Sequence, residues 1–299
     1  MTAPASHTLT IPIAGLEVTL QADSSEHLEA MRLALPQVED PTPIQRTLRF
    51  RLEPGHAPWL RLYEDDAPYG LPMEDLGEVV QHIALTAEHV VRELHAERTC
   101  LHSASATIDG HLALFSGPRG SGKTTLMLRL LLDGAAFHGD EYVLTDGTGR
   151  VRSIPRRLRV KPGTFFCLPE VGEHCARLPA SARGWVDGYH ALDPRDIGYP
   201  WQPTEGPPAA IFHLEAGFDE PPVITPIAQI DMVSRLLEQL ITDRNSVRGH
   251  IGDVCALVRG TPCFALRVGD PQVTAAAVRE VLHGQEPAPA GVPVEVTAR

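Results

Sequence analysis

The run Leu112-Ala-Leu-Phe-Ser-Gly-Pro-Arg-Gly-Ser-Gly-Lys-Thr-Thr-Leu126 limits what this chain can become more than any other stretch. An apolar segment, Leu112 to Phe115, enters a glycine-rich turn, and the turn opens into an amphipathic segment from Thr124 to Leu132. Residues 117–124 match G-x-x-x-x-G-K-[ST] in full, in the strand–loop–helix setting the motif requires. Glycines let successive backbone N–H groups close round a phosphate, and the helix that follows turns its positive end toward that charge. Gly117, Arg119, Gly120, Ser121, Gly122, Lys123, Thr124 and Thr125 are therefore expected to bind a nucleotide. Lys123 would reach the β- and γ-phosphates, and the Thr124 hydroxyl would hold Mg²⁺.

Lysine usage sharpens this expectation. The chain has two lysines, Lys123 and Lys161, and arginine supplies all its other basic residues. A guanidinium cannot replace a compact three-donor ammonium in a phosphate cradle. Lysine therefore stands where the loop needs it, and Lys161 gains interest by the same reasoning.

With 299 residues the chain has room for a sizeable core in one large or two smaller domains. Its net charge of −12 argues against general binding of nucleic acid or anionic membrane, which needs a basic face. Five cysteines, an odd number without a C-x-x-C pair, read as reduced thiols of a cytoplasmic protein. No basic-then-apolar leader and no apolar run of membrane-spanning length is present in the sequence.

Before residue 95 no chemical motif is visible. Residues 9–13 and 16–20 read as a hairpin, 24–33 as a serine-capped helix, 47–52 as a strand and 76–94 as a long amphipathic helix. Together they predict a small N-terminal α/β module over residues 1–95, in front of a nucleotide domain over 96–285. In that domain, residues 101–108 and 111–115 flank an Asp-Gly hairpin signal, and the second strand feeds the glycine loop. Residues 135–144 read as one buried strand ending in acids, and 162–208 as an irregular stretch carrying Trp185, Tyr189, Tyr199 and Trp201. Residues 209–214 and 263–268 read as strands, 232–242 and 273–282 as helices, and 286–299 as a disordered tail.

Asp140 and Glu141 follow Lys123 by seventeen and eighteen positions, with one helix and one strand between. That is a short route for bringing acids beside the phosphates. One carboxylate would complete the Mg²⁺ shell while its neighbour takes a proton from an attacking hydroxyl. Downstream, Arg157, Arg159 and Lys161 would share one strand face and stabilise a transferring phosphoryl group or receive an acidic substrate; a solvated basic edge strand is the alternative.

His102, the loop from Phe115 to Thr125 and Phe137-His-Gly-Asp-Glu-Tyr142 resemble the catalytic half of HPr kinase/phosphorylase, and are similar to the kinase motifs of the related phosphoenolpyruvate carboxykinases. The likeness covers residues 99–165 well and the element order to about 283 loosely. It implies an α/β nucleotide-binding domain of that type and an ATP- and Mg²⁺-dependent kinase whose acceptor is a serine of a protein or peptide. It also implies that Asp140 is the general base, Glu141 a metal ligand and His102 an orienting group, although Asp140 and Glu141 could exchange roles. Hexamers are usual in that family, so a homo-oligomer is a further expectation. Three rivals stand beside the peptide kinase: a small-molecule kinase acting on, for example, free serine, a non-catalytic nucleotide-responsive binding module, and a carboxykinase-type enzyme.

Overall fold

The computed structural model describes residues 7–38, 40–54, 60–70, 72–177, 189–217, 220–241 and 247–284. The expected tail and Trp185 lie outside the described residues.

Ala14 and Gly15, at φ of 46° and 89°, turn β1 (His7–Ile13) back onto β2 (Leu16–Ala22) in the expected hairpin. Ser24 caps α1 (Ser25–Arg32), its hydroxyl accepting from the His27 N–H. The next strand, β3 (Arg46–Pro54), pairs parallel to β2, so α1 lies in the crossover between them. β4 (Leu60–Glu64) and β5 (Ala67–Pro68) complete a five-stranded sheet. Helix α2 (Leu76–Leu94), capped by Asp75, buries Val80, Ile83, Ala84, Ala87 and Val91 against the leucines of this sheet. The same core takes in Cys100, Leu144, Ile154 and Ala191, so apolar packing runs across the expected boundary near residue 95.

β6 (Thr99–Ile108) and β7 (His111–Ser116) form the Asp109-Gly110 hairpin. α3 (Lys123–Leu132) leaves the glycine loop and ends at Gly134, which has φ of 88°. The expected single strand over 135–144 is in fact two, β8 (Ala136–Gly139) and β9 (Tyr142–Thr145), both antiparallel to β6. Ser105 faces Gly139 and His102 faces Tyr142, so the register carries across the bend at Asp140-Glu141 and shifts by one residue only beyond it, between Ser105 and Ala106, where His138 is the extra residue. The Ser103 N–H still reaches the Glu141 carbonyl at 3.2 Å. The bend therefore interrupts the strand at the two acids, with the Glu141 carbonyl still tied to β6.

β10 (Val151–Ser153) and β11 (Leu158–Val160) follow. The stretch expected to be irregular holds α4 (Thr164–Cys167), α5 (Pro169–Arg177), β12 (His190–Leu192), a 3-10 turn (Pro194–Ile197) and β13 (Glu205–Gly206). Two of its aromatics are anchors: Trp201 is buried and donates to the His138 carbonyl, and the Tyr199 hydroxyl donates to the Leu132 carbonyl. The chain closes with β14 (Ala210–Ala216), β15 (Val223–Pro226), α6 (Gln229–Leu237), α7 (Val247–Val258), β16 (Cys263–Val268) and α8 (Pro271–His283). α6 starts and stops earlier than its periodicity predicts, because the chain after it turns to bridge Leu240 with Leu101. α7 was hidden in the sequence by Gly249 and Gly252, which lower helix propensity.

A nine-stranded sheet runs β13-β10-β9-β6-β7-β14-β16-β15, with β8 also beside β6. One face carries the core of α3 and α8, the other that of α6 and α7. On the α3 face Phe115, Phe212 and Phe264 stack in a row, ring centroids 5.3 Å apart. Strands β7, β14 and β16 are mutually parallel, so the loops leaving their C-terminal ends lie together. Among the described residues no helix is long and apolar enough to cross a membrane.

Candidate functional site

Register alone assembles the site. Ser103 pairs with Ser116, the residue before the glycine loop, and His102 pairs with Tyr142, the residue after the acids. The loop, His102 and the Asp140-Glu141 bend therefore meet at one sheet end. The loop itself is made possible by glycine. Gly117, Gly120 and Gly122 have φ of 148°, 82° and 91°, and a Cβ on Gly117 would lie 2.8 Å from the Leu214 carbonyl. Gly122 stands at the start of α3 with no side chain capping the first turn, which leaves its N–H groups directed at the loop.

A cavity of about 840 Å³ opens here, lined by the loop and α3 start, by His102, Asp140 and Glu141, and by Arg159, Lys161 and the start of α8. Lys123 is buried and its ammonium donates to the carbonyls of Gly117 at 2.5 Å and Pro118 at 3.1 Å. Burial lowers its pKa to about 8, against the opposing pull of Glu141 and Asp140. The Thr124 hydroxyl donates to Asp140 Oδ2 at 2.9 Å. Asp140 is 4% exposed. Burial pushes its carboxyl up to about 6, Arg156 opposes that, and Glu141 adds to it. Ser121 is buried in the loop, and the Thr125 hydroxyl sits 3.2 Å from that of Thr164 on α4. Arg119 lines the mouth of the cavity.

His102 Nε2 lies 3.7 Å from Glu141 Oε1. Its Nδ1 is 3.3 Å from Gln239 Oε1, and its backbone N–H donates to the Gln239 carbonyl at 2.8 Å. Burial, and then the charge of Lys123, lower its pKa and favour the neutral ring. Gln239, just after α6, thus seats the histidine from below, a role no sequence signal announced.

The basic segment divides. Arg159 and Lys161 reach the cavity, with the Lys161 ammonium 5.5 Å from the centre of the Tyr189 ring. Arg157 does not. It is buried, donating to the Leu35 carbonyl at 3.1 Å and to Asp196 at 3.2 Å, with Asp193 at 3.9 Å. The expected shared face of Arg157, Arg159 and Lys161 fails because β11 is only three residues long and Arg157 precedes it. In its place Arg156 enters the site's surroundings, 3.6 Å from Glu141 and 3.3 Å from Glu88. Arg156 and Glu88 carry no motif, and only the fold shows that they meet.

No protein-family model matches the chain, and no curated protein matches it in sequence. Among solved structures it is similar to the Hpr(Ser) kinase/phosphatase from Coxiella burnetii, at 13% identity and a TM-score of 0.31, over 61% of this chain and 95% of that one. At that level of overlap the chemistry rests on the site's own geometry.

Proposed function

We propose that this chain is a phosphotransferase of the HPr-kinase-like kind, moving the γ-phosphoryl group of ATP to a hydroxyl, with a serine of a protein or peptide as the acceptor. The observation that carries the reading is the 2.9 Å hydrogen bond from Thr124 to Asp140, made directly behind Lys123 at the start of α3. It supports the reading because phosphoryl transfer needs a hydroxyl and a carboxylate beside a loop of the phosphate-binding kind.

The donor set fits Mg²⁺. Thr124, Asp140 and Glu141 offer hard oxygen ligands, and a buried carboxyl held near 6 beside a second acid gains from a cation. Among the described residues no three of His, Cys, Asp and Glu converge as a cage, and a cation shared with phosphate oxygens needs fewer protein ligands than that. When bound, the cation neutralises charge on the phosphates. The remaining work belongs to the chain. The loop amides and Lys123 hold the transferring group, Asp140, ionised at neutral pH, takes the proton of the acceptor hydroxyl, and Arg159 and Lys161 offer positive charge on the acceptor side.

Lys123→Ala should lower ATP turnover on the order of a hundredfold, equivalent to roughly 3 kcal/mol of transition-state stabilisation. Mg²⁺·ATP consumption with serine-containing peptides or free serine as acceptors measures it. Turnover unchanged in Lys123→Ala would sink the reading, and ATP bound but never consumed would favour a nucleotide-responsive binding module.

A further inference from the structure

Glu88 lies in the last third of α2, within the apolar stripe formed by Ala84, Ala87 and Val91. A carboxylate there is costly unless it is paired. Its side chain is 11% exposed, and Tyr142, Arg156 and Arg159, which surround it, follow it by more than fifty positions. Oε2 accepts from the Tyr142 hydroxyl at 3.2 Å, and Oε1 accepts from Arg159 at 3.3 Å. Arg156 Nε stands 3.3 Å from the same Oε1, and the Arg156 guanidinium continues to Glu141 Oε2 at 3.6 Å.

Arg156 is 3% exposed, and neither Nε nor Nη1 makes a hydrogen bond. The position of this guanidinium is therefore set by the carboxylates on either side of it. Tyr142, whose ring it overlies at 5.5 Å, gives it a flat surface but no charge. Removing Glu88 would take away one of the two carboxylates that fix the guanidinium, and Arg156 would no longer hold Glu141 in place.

We propose that Glu88 is a positioning residue of the site, holding Glu141 through Arg156 and so making the setting of the acidic pair depend on the N-terminal helix α2. The inference rests on the phosphotransferase reading. It assigns the N-terminal segment a part in the site: α2 supplies the counter-charge that fixes Arg156 where it holds Glu141.

The test uses the full chain and calorimetric binding of ADP, once with Mg²⁺ and once with EDTA. Glu88→Gln should reduce the Mg²⁺-dependent gain in ADP affinity about tenfold, the scale seen when an outer partner of a ligand is lost, and leave the affinity in EDTA within about twofold. Glu88→Gln/Arg156→Met removes the stranded cation as well. Its folding stability should recover toward wild type, whereas its Mg²⁺-dependent gain should not, because Glu141 still lacks its partner. A Glu88→Gln variant with the full Mg²⁺-dependent gain overturns the inference alone. A double variant that regains stability and that gain together shows Glu88 to be structural only, and also overturns it. Wild-type protein that binds no nucleotide overturns the phosphotransferase reading, and the inference falls with it.

Discussion

Asp140→Asn should make this protein more stable at pH 8 while abolishing its turnover. Asp140 is 4% exposed, and its carboxyl is raised from 3.8 to about 6, with burial as the largest cause. The Arg156 charge and the Thr124 hydrogen bond both favour the ionised form, but do not make up for lost hydration. A carboxyl whose folded value lies above its unfolded one stabilises the fold fully only below about pH 4, where it is protonated in both states. That contribution is lost as pH rises through about 6, when the folded chain must carry the charge. A shift of about two units corresponds to about 3 kcal/mol. Asparagine keeps the shape and can accept from Thr124, and it has no charge to desolvate. Urea unfolding in EDTA without nucleotide should therefore show Asp140→Asn more stable than wild type by about 2–3 kcal/mol at pH 8, with the gap closing between pH 6 and pH 4. A variant less stable than wild type at pH 8 would refute the reasoning, since attraction to Arg156 would then outweigh desolvation.

Other outcomes follow from the same geometry. Lys123, held at about 8, is partly neutral at pH 8, and a bound phosphate would restore its proton. ADP binding at pH 8 should take up about half a proton, read from calorimetry in buffers of different ionisation enthalpy, and Lys123→Met should abolish that uptake; no buffer dependence of the wild type at pH 8 would refute a phosphate contact at Lys123. Arg157→Met removes the buried guanidinium that joins the Leu35 carbonyl to Asp196, while Asp193 keeps Arg195, and should destabilise the chain by about 1–3 kcal/mol, with the KM for ATP of the folded fraction unchanged; a KM effect without loss of stability would return Arg157 to the site. Gly117→Ala, with its Cβ 2.8 Å from the Leu214 carbonyl, should cost about 1–3 kcal/mol in stability and weaken ADP binding, and a neutral result would mean the loop can move away from β14.

The glycine loop, both hairpins and α2 were legible because each is specified locally. Asp109-Gly110 demands its turn, and seven apolar residues on one stripe demand α2. The bend at Asp140-Glu141 was not legible, because nothing in an apolar run ending in acids says that β6 will pair on both sides of a bend. For the same reason the site's support was invisible. Glu88, Arg156 and Gln239 are joined to the acids and His102 by tertiary register, across separations that no motif spans.

The two lysines tie composition to geometry. Where this chain needs a buried cation against carboxylates, it uses arginine: Arg156 against Glu88 and Glu141, Arg157 against Asp193 and Asp196. Such places favour a weakly hydrated, planar guanidinium whose charge does not depend on pH. Both lysines line the same cavity, Lys123 beside the glycine loop and Lys161 near Tyr189. An ammonium is a compact charge on a mobile stem, and its basicity shifts with its surroundings, as the value of about 8 at Lys123 shows. Those properties suit a group that must engage an anion which arrives and leaves, and they suit a permanent ion pair poorly. Under the proposed function, that division of labour puts Lys161 with Lys123 among the charges offered to a ligand, and the buried arginines among those that hold the fold.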